Sequence, residues 1–465
     1  MRWFVAALVL LLAPAASSQR LTAVHLADLP ALILGSSDPL HTYKCLVLTG
    51  RDDGGADTLR TALGDPRCAI VAVTGGVTVL VNSTLGSLPV SRSVSIACEQ
   101  LLAGLTEPGS SPVPARLANA SNATAERLGA KIVAGCVLDG SLLSGQSIVS
   151  VKSVTSFNVT DIQFVNGHAA NGGALLINAT RLAVIDHCTM SNNVAGTGGA
   201  VAAVSSAVVV IGSIFSGNTA IDTLPPALGI APGNGGAVFV SGGELAVTLS
   251  SFGNNVALIA GGGIYVSSTN LQLHFATFFS NTGGAVAQFG ALSPTVRTLI
   301  SFSVFTGNEA TPNGGALLID GTGQAGSLTL DVNHCHFIQN SASGLGGAIA
   351  TSNGVASNLT ANEFKNNTDA CPGSPGSSIY IDVNGACLDV VAVRSQLIPT
   401  CGVLTLQNQV RRTLPGGITC STLQPQLLGP YCCQSGPLLD KLCSVGYLSA
   451  SNGCPAAPVR RLLAA

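Results

Sequence analysis

The sequence predicts an all-β chain: a single-stranded parallel β-helix of about 12 coils of about 26 residues each. Three observations carry that prediction. A Gly-Gly pair and an Asn recur at a spacing near 26. The stretches between these landmarks have strand length and alternation, with no helical period sustained over ten residues. One short amphipathic segment precedes the first coil, where a solenoid needs a cap.

The landmarks come first. Gly-Gly pairs begin at 172, 198, 235, 261, 283, 314 and 346, nearly all followed by Ala and aliphatic residues, as in Gly172-Gly173-Ala174-Leu175-Leu176-Ile177. An Asn series at Asn166, Asn192, Asn218, Asn255, Asn281, Asn308, Asn340 and Asn367 advances in steps of 26, 26, 37, 26, 27, 32 and 27. The two long steps contain insertions, Asp222 to Pro232 and Gly321 to Gly326. The first holds Pro225, Pro226 and Pro232, which cannot donate to a strand ladder, and is expected to leave the solenoid as a loop. A Phe stands three residues before the Asn at Phe215, Phe252, Phe278, Phe305, Phe337 and Phe364.

Stacked coils place each landmark above its predecessor, one strand spacing apart. Three strands and three turns fit in each coil. The Phe should form one buried column and the Asn a second, amide bonded to amide as in stacked in-register strands. The paired Gly permit a corner closed to other residues. Leucine-rich repeats would show their own Leu/Asn framework, and a propeller blade of about 40 residues does not match this period.

These residues carry a resemblance. Phe-x-x-Asn followed by Gly-Gly-Ala-aliphatic, over about residues 160 to 370, resembles the repeat of the chlamydial polymorphic outer-membrane proteins. Upstream, Asp52-Asp53-Gly54-Gly55-Ala56-Asp57-Thr58-Leu59-Arg60-Thr61-Ala62-Leu63 resembles the segment that opens many pectin-lyase-like right-handed β-helices. That resemblance implies a short helix over Thr58 to Leu63 capping the first coil. Independently, Leu59, Ala62 and Leu63 suit one buried face. The chlamydial proteins end in a membrane β-barrel, which needs many strands of roughly 9–11 residues. Here the last 95 residues instead hold eight Cys (Cys371, Cys387, Cys401, Cys420, Cys432, Cys433, Cys443, Cys454), so barrel anchoring does not carry over.

The domain reading follows: 1–18 a signal peptide, 19–69 an N-terminal segment and cap, 70–395 the β-helix, and 396–465 a Cys-rich closing segment. The leader is Arg2, an apolar run from Phe4 to Leu12, and small residues from Ala13 to Ser18. It is too short to span a bilayer, and no other apolar stretch is long enough, despite a mean hydropathy of +0.49. A soluble protein, secreted or extracellular and associated with a cell surface, is expected. Fourteen Cys in an exported chain point to disulfides, with Cys45–Cys68 and Cys98–Cys136 pairing near the N-terminus and the last eight pairing mostly among themselves. Seven sequons, Asn82, Asn119, Asn122, Asn158, Asn178, Asn358 and Asn366, are glycan acceptors in a eukaryotic host.

Charged residues make up only 9% of the chain and the net charge is −2, which leaves no electrostatic reach toward nucleic acid. Enzymes on pectin-lyase-like scaffolds cleave acidic polysaccharides. The weak catalytic candidates are Asp161 and Asp186-His187, preceding the Asn of adjacent coils at similar offsets. No Arg or Lys recurs beside them, and carboxylates that end strands are the plainer reading. Asp52, Asp53 and Asp57 lack the alternating ligands of a calcium loop. His168, His187, His334 and His336 are scattered, and Cys188 and Cys335 read as buried thiols rather than a metal pair. No cofactor or metal is expected. Two function classes remain: a non-enzymatic glycoprotein rod binding cell-surface, cell-wall or matrix polysaccharide or protein, and an extracellular polysaccharide lyase or glycoside hydrolase.

Overall fold

The computed structural model describes residues 43–99, 135–221, 232–290, 296–321, 328–370 and 379–381, apart from positions 48, 56, 57, 354 and 361. It adds the backbone of 102–103, 131–132, 386–388 and 404–406. The leader, the body of the Pro-rich insertion and nearly all of the Cys-rich tail lie outside these residues.

The described strands build stacked parallel sheets running the length of a β-helix. One sheet has 20 strands, a second has 10 and a third has 4. Two described strand pairings are antiparallel, Leu102–Ala103 with Lys131–Ile132 and Ile379–Ile381 with Ala386–Leu388.

One coil shows how the sequence makes a rung. Leu175–Asn178 and Leu182–Asp186 both lie in the 20-stranded sheet, Thr189–Ser191 in the 10-stranded sheet, and Val194–Thr197 in the 4-stranded one. The coil thus holds four short strands rather than three. In later coils the first two fuse into 11-residue strands, Val201–Ile211, Val238–Thr248 and Ile264–His274. The fused strands bend at Ser205 and Ser268, whose φ values are +49° and +52°. A left-handed residue turns the chain without ending the ladder, so alternation alone does not reveal that corner.

The 10-stranded sheet carries the predicted columns. Its local pattern is a left-handed corner, an inward residue, an outward residue, an inward Phe, an outward residue, a second left-handed corner, and an inward Asn. Phe215, Phe252, Phe278, Phe305, Phe337 and Phe364 are buried and stacked, with ring centroids 4.6, 4.8, 5.0, 4.9 and 4.9 Å apart. Met190, Phe164, Leu138 and Val79 extend this column downward in register.

The Asn column is saturated with hydrogen bonds. The Nδ2 of Asn255 donates to Asn281 Oδ1 at 3.0 Å and to the Phe215 carbonyl at 3.1 Å. Its Oδ1 accepts from Asn218 N at 3.0 Å and Asn218 Nδ2 at 2.9 Å. The same links run from Asn193 through Asn218, Asn255, Asn281, Asn308 and Asn340 to Asn367. Two members differ from the sequence reading. The rung is occupied by Asn193, not Asn192, and by Gly167, not Asn166; Gly167 N donates to Asn193 Oδ1 at 2.9 Å. Asn192 and Asn166 are the exposed corner residues just before, with φ of +56° and +57°. A one-residue slip moves a side chain from core to solvent, and spacing near 26 does not resolve it.

The Gly-Gly corners need both glycines. Gly198 has φ +61°, and a Cβ on Gly199 would lie 2.1 Å from the Gly236 carbonyl oxygen of the next coil. The helical cap also forms. Leu59–Gly64 is a helix with Thr58 as its N-cap, burying Leu59, Ala62 and Leu63. Asp52, 4% exposed, takes two 2.7 Å bonds from Arg60 and a 2.9 Å bond from Asn82 N. Arg60 also reaches the carbonyls of Leu85, Gly86 and Ser87, tying helix to first coils. Here the Cys45–Cys68 disulfide joins paired strands of adjacent rungs, and Cys98–Cys136 joins Val94–Glu99 of the long sheet to Cys136–Asp139 of the 10-stranded sheet within one coil.

Replacing Asn281 by Ala strands Asn255 N–H, Asn255 Nδ2 and the Phe252 carbonyl. At about 1–3 kcal/mol for each buried group left unsatisfied, the variant should lose about 3 kcal/mol or more. Asn254→Ala, on the exposed corner one residue earlier, should lose about 1 kcal/mol or less. Urea midpoints of the two variants measure the difference; equal losses would mean that the ladder does not bear this load.

Candidate functional site

The first corner of the 10-stranded sheet brings the predicted acid–base residues to one outer edge. Asp161, His187, Gly212, Leu249, Phe275, Phe302 and His334 occupy the same place in successive coils, all with φ between +49° and +57°. Hydrogen bonds from Asp161 through Phe302 to the carbonyl of the next coil keep them in file, beginning with Asp161 N to Asp186 O at 3.0 Å and His187 N to Ile211 O at 2.9 Å.

The structure places Asp161 and Asp186 in neighbouring coils but not in the same column. Thr160 is the register partner of Asp186, so Asp161 aligns with His187. The two carboxylates stand at offsets that differ by one residue. His187 Nδ1 lies 2.6 Å from Asp186 Oδ1, an exposed pair in which the carboxylate orients the imidazole. The ring reaches over Gly212, where an added Cβ would come 2.9 Å from His187 Nε2. Among the described residues, no group of three or more His, Cys, Asp or Glu is placed to hold a metal ion.

The remaining candidates fall elsewhere. His336 pairs with Glu363 across one rung at 2.6 Å, and His334 stacks on Phe302. Cys188 and Cys335 occupy a column of inward residues just after the corner, shared with Ser213, Ser250, Ala276 and Ser303. Cys188 N bonds Ser213 Oγ at 3.0 Å, and Cys335 N bonds Asn362 Oδ1 at 2.9 Å. Burial pushes both thiols up to about 12, so neither is a thiolate at neutral pH. Asp53 caps its own turn, its Oδ1 accepting from Gly55 N, while Asp57 lies outside the described residues.

The sequons separate by exposure. Asn82 Oδ1 accepts from Thr84 N and Oγ1 at 2.9 and 2.7 Å in an open turn. Asn366 is an exposed left-handed corner residue, and Thr368 of its sequon is exposed. Asn178 is half-buried with Thr180 buried, and Asn158 is 8% exposed inside the long sheet. Asn119, Asn122 and the Asn358 side chain lie outside the described residues.

The sequence reading missed the aromatic part of the outer corner. Phe275, Phe302 and His334 form an exterior stack, with centroids 5.2 and 5.0 Å apart, and Phe239, Tyr265 and Phe289 stack along the long sheet at 5.3 Å. Phe275 and Phe302 are 40% and 42% exposed. The signal was present as Phe275-x-x-Phe278 and Phe302-x-x-Phe305, where the first Phe of each pair precedes the buried one by the corner-to-column offset.

Comparison with protein families falls on this same part of the coil. The model of the Chlamydia polymorphic membrane protein repeat matches residues 212–241 and 334–352. Both segments carry that repeat. Each polymorphic-membrane-protein repeat runs from the outer corner, Gly212 or His334, through the Phe and Asn columns and the Gly-Gly corner into the next long-sheet strand. Its Phe and Asn are thus inward ladder positions, and the pectin-lyase-like architecture accords with the parallel sheets. No curated protein matches the chain. Among the described residues, no helix is long and apolar enough to cross a membrane.

Two outcomes test this geometry. Gly212→Ala must tolerate φ +55° and displace the His187 ring, so it should destabilise by about 1–2 kcal/mol. Adding His187→Ala should recover the part due to the ring, read as a positive coupling in thermal melts. Cys188 and Cys335 should resist alkylation in the native protein at pH 8 and react after denaturation, as read by peptide mass spectrometry; fast native labelling would contradict their burial.

Proposed function

We propose that the protein is an extracellular, non-enzymatic adhesive rod displayed at or near a cell surface, binding surface or matrix polysaccharide or protein. The observation that carries this reading is the polymorphic-membrane-protein repeat set on a solenoid. Repeats that contact only their neighbours make a stiff, extended surface, suited to presenting many weak contacts in a row. The low charge of the chain favours contacts through apolar and neutral hydrogen-bonding groups over electrostatic capture. Secretion rests on the leader-like N-terminus, and N-glycans at Asn82 and Asn366 would add solubility that so few charges do not supply. The Asp161, Asp186 and His187 edge is the place where polysaccharide cleavage would act, and the test covers it.

Beads coated with the full secreted chain should adhere to cells and to immobilised polysaccharide or matrix protein. The same preparation should leave polygalacturonate uncleaved by reducing-end and unsaturated-product assays. Cleavage abolished by Asp161→Asn or Asp186→Asn would replace this reading with the lyase or hydrolase one. Beads that bind none of the surfaces would remove the adhesive reading.

A further inference from the structure

We infer that the exterior ladder Leu249, Phe275, Phe302 and His334 is a binding ridge for a neutral β-1,4-linked glycan lying along the solenoid axis. This names the ligand class for the adhesive role and rests on that reading.

The ridge exists because of the fold. The left-handed corner turns these side chains outward, one per coil, at the place where His187 and Gly212 stand in earlier coils. Leu249 is 50% exposed and continues the ridge below Phe275. Apolar side chains of this size seldom line up in solvent unless something covers them, and a soluble chain normally keeps such groups apart. The inner Phe column has its partners inside the core; the outer one is also stacked, at 5.0–5.2 Å, but is partly open to water.

The ring geometry says what kind of chain would fit. The planes of Phe275 and Phe302 lie within 14° of each other, and those of Phe302 and His334 within 18°. Centroids 5.0–5.2 Å apart set the rings at a constant step along the stack, close to the strand spacing. Phe275 and Phe302 are 40% and 42% exposed, which produces an apolar surface of constant period. An extended peptide advances about 3.3 Å per residue and would fall out of step with it. A β-1,4-linked pyranose chain advances by close to one rung per sugar and presents axial C–H groups to the rings. Every rung then meets one sugar ring, with the two ring faces alternating along the chain.

The flanks suit hydroxyls and not a uronate. On the long-sheet side stand Gln272 and His274, the latter with Nδ1 bonded to Ser301 Oγ. Burial lowers the His274 pKa, favouring the neutral ring. On the other side Thr277 and His336 are exposed. Near the ridge Arg297 pairs with Asp331 at 2.9 Å, and His336 Nδ1 lies 2.6 Å from Glu363 Oε2. Among the described residues, no row of Arg or Lys runs beside it to attract carboxylates.

Cellohexaose and mannohexaose, with polygalacturonate as the anionic comparison, test the assignment by affinity electrophoresis and calorimetry on the full secreted chain. Wild type should bind a neutral hexasaccharide with little salt dependence. Phe275→Ser/Phe302→Ser should weaken binding at least tenfold, and Phe275→Leu/Phe302→Leu, which keeps apolar bulk but not the π-face, should fall between. Phe279→Ser, which removes an exposed ring outside the ladder, should bind as wild type does. Melting curves confirm that each variant folds, and the Leu pair decides if the Ser pair does not. Absence of neutral-glycan binding, equal binding by the Leu pair and wild type, or salt-sensitive binding to polygalacturonate alone would overturn the proposal. Coated-bead adhesion of the Phe variants separates the two readings. Beads that still adhere with the ridge removed sink the ridge and leave the adhesive rod standing. Wild-type beads that fail to adhere while the hexasaccharide binds do the reverse.

Discussion

The buried Asn ladder is the constraint from which the rest of the solenoid follows. Each internal rung uses both amide hydrogens and both lone pairs of its side chain: Nδ2 donates upward to the next Asn and back to a column carbonyl, and Oδ1 accepts a backbone N–H and another Nδ2. A buried amide is tolerable only when satisfied, and here satisfaction requires the adjacent coil to present the same residue at the same height. The ladder therefore ties vertical register to chemistry. A coil displaced by one residue would lose these bonds and also turn its Phe toward solvent.

That requirement explains the left-handed corners. The Asn must point inward immediately after an outward-turning residue, and a left-handed conformation makes that change of direction in one step. Gly217 and Gly307 adopt it freely, and Asn254, Ser280 and Gln339 adopt it at some local strain that the ladder above and below overcomes. The Gly-Gly corner is different in kind. There the obstacle is the carbonyl of the next coil, which would lie 2.1–2.5 Å from a Cβ on Gly173, Gly199, Gly236 or Gly315.

Inward and outward corners have consequently different freedom. Inward positions accept Phe, Asn, Ser or Cys because each must fill or bond a fixed space; Cys188 and Cys335 stand among serines for this reason. The outer corner needs only a backbone conformation, and its occupants range from Asp161 and His187 through Gly212 to Phe275 and Phe302. A solenoid can therefore vary the chemistry of one edge without disturbing its core, and here the same edge passes from acidic and imidazole groups to an aromatic ridge. The polymorphic-membrane-protein repeat motif is largely a description of the inward set, so it reports the scaffold more directly than the surface that meets a partner.

The parallel β-helix, its period, the Phe column, most of the Asn ladder, the helical cap and the two N-terminal disulfides were legible in the amino-acid sequence. They are set by residue type at a repeated spacing, and stacking turns a repeated spacing into contact. The ladder positions of Gly167 and Asn193 were not legible, because Asn166 and Asn192 sit one residue away and only inter-coil hydrogen bonds tell them apart. The fourth strand of each coil was also hidden, since bends at Ser205 and Ser268 leave the alternation on either side intact. For the outer corner, sequence alone grouped Asp161 with Asp186 by a similar offset. Register aligned Asp161 with His187 and continued the line to Phe275, Phe302 and His334. Which side chains share an exposed edge depends on the exact height and direction of every corner, and those are properties of the stacked coils rather than of any one of them.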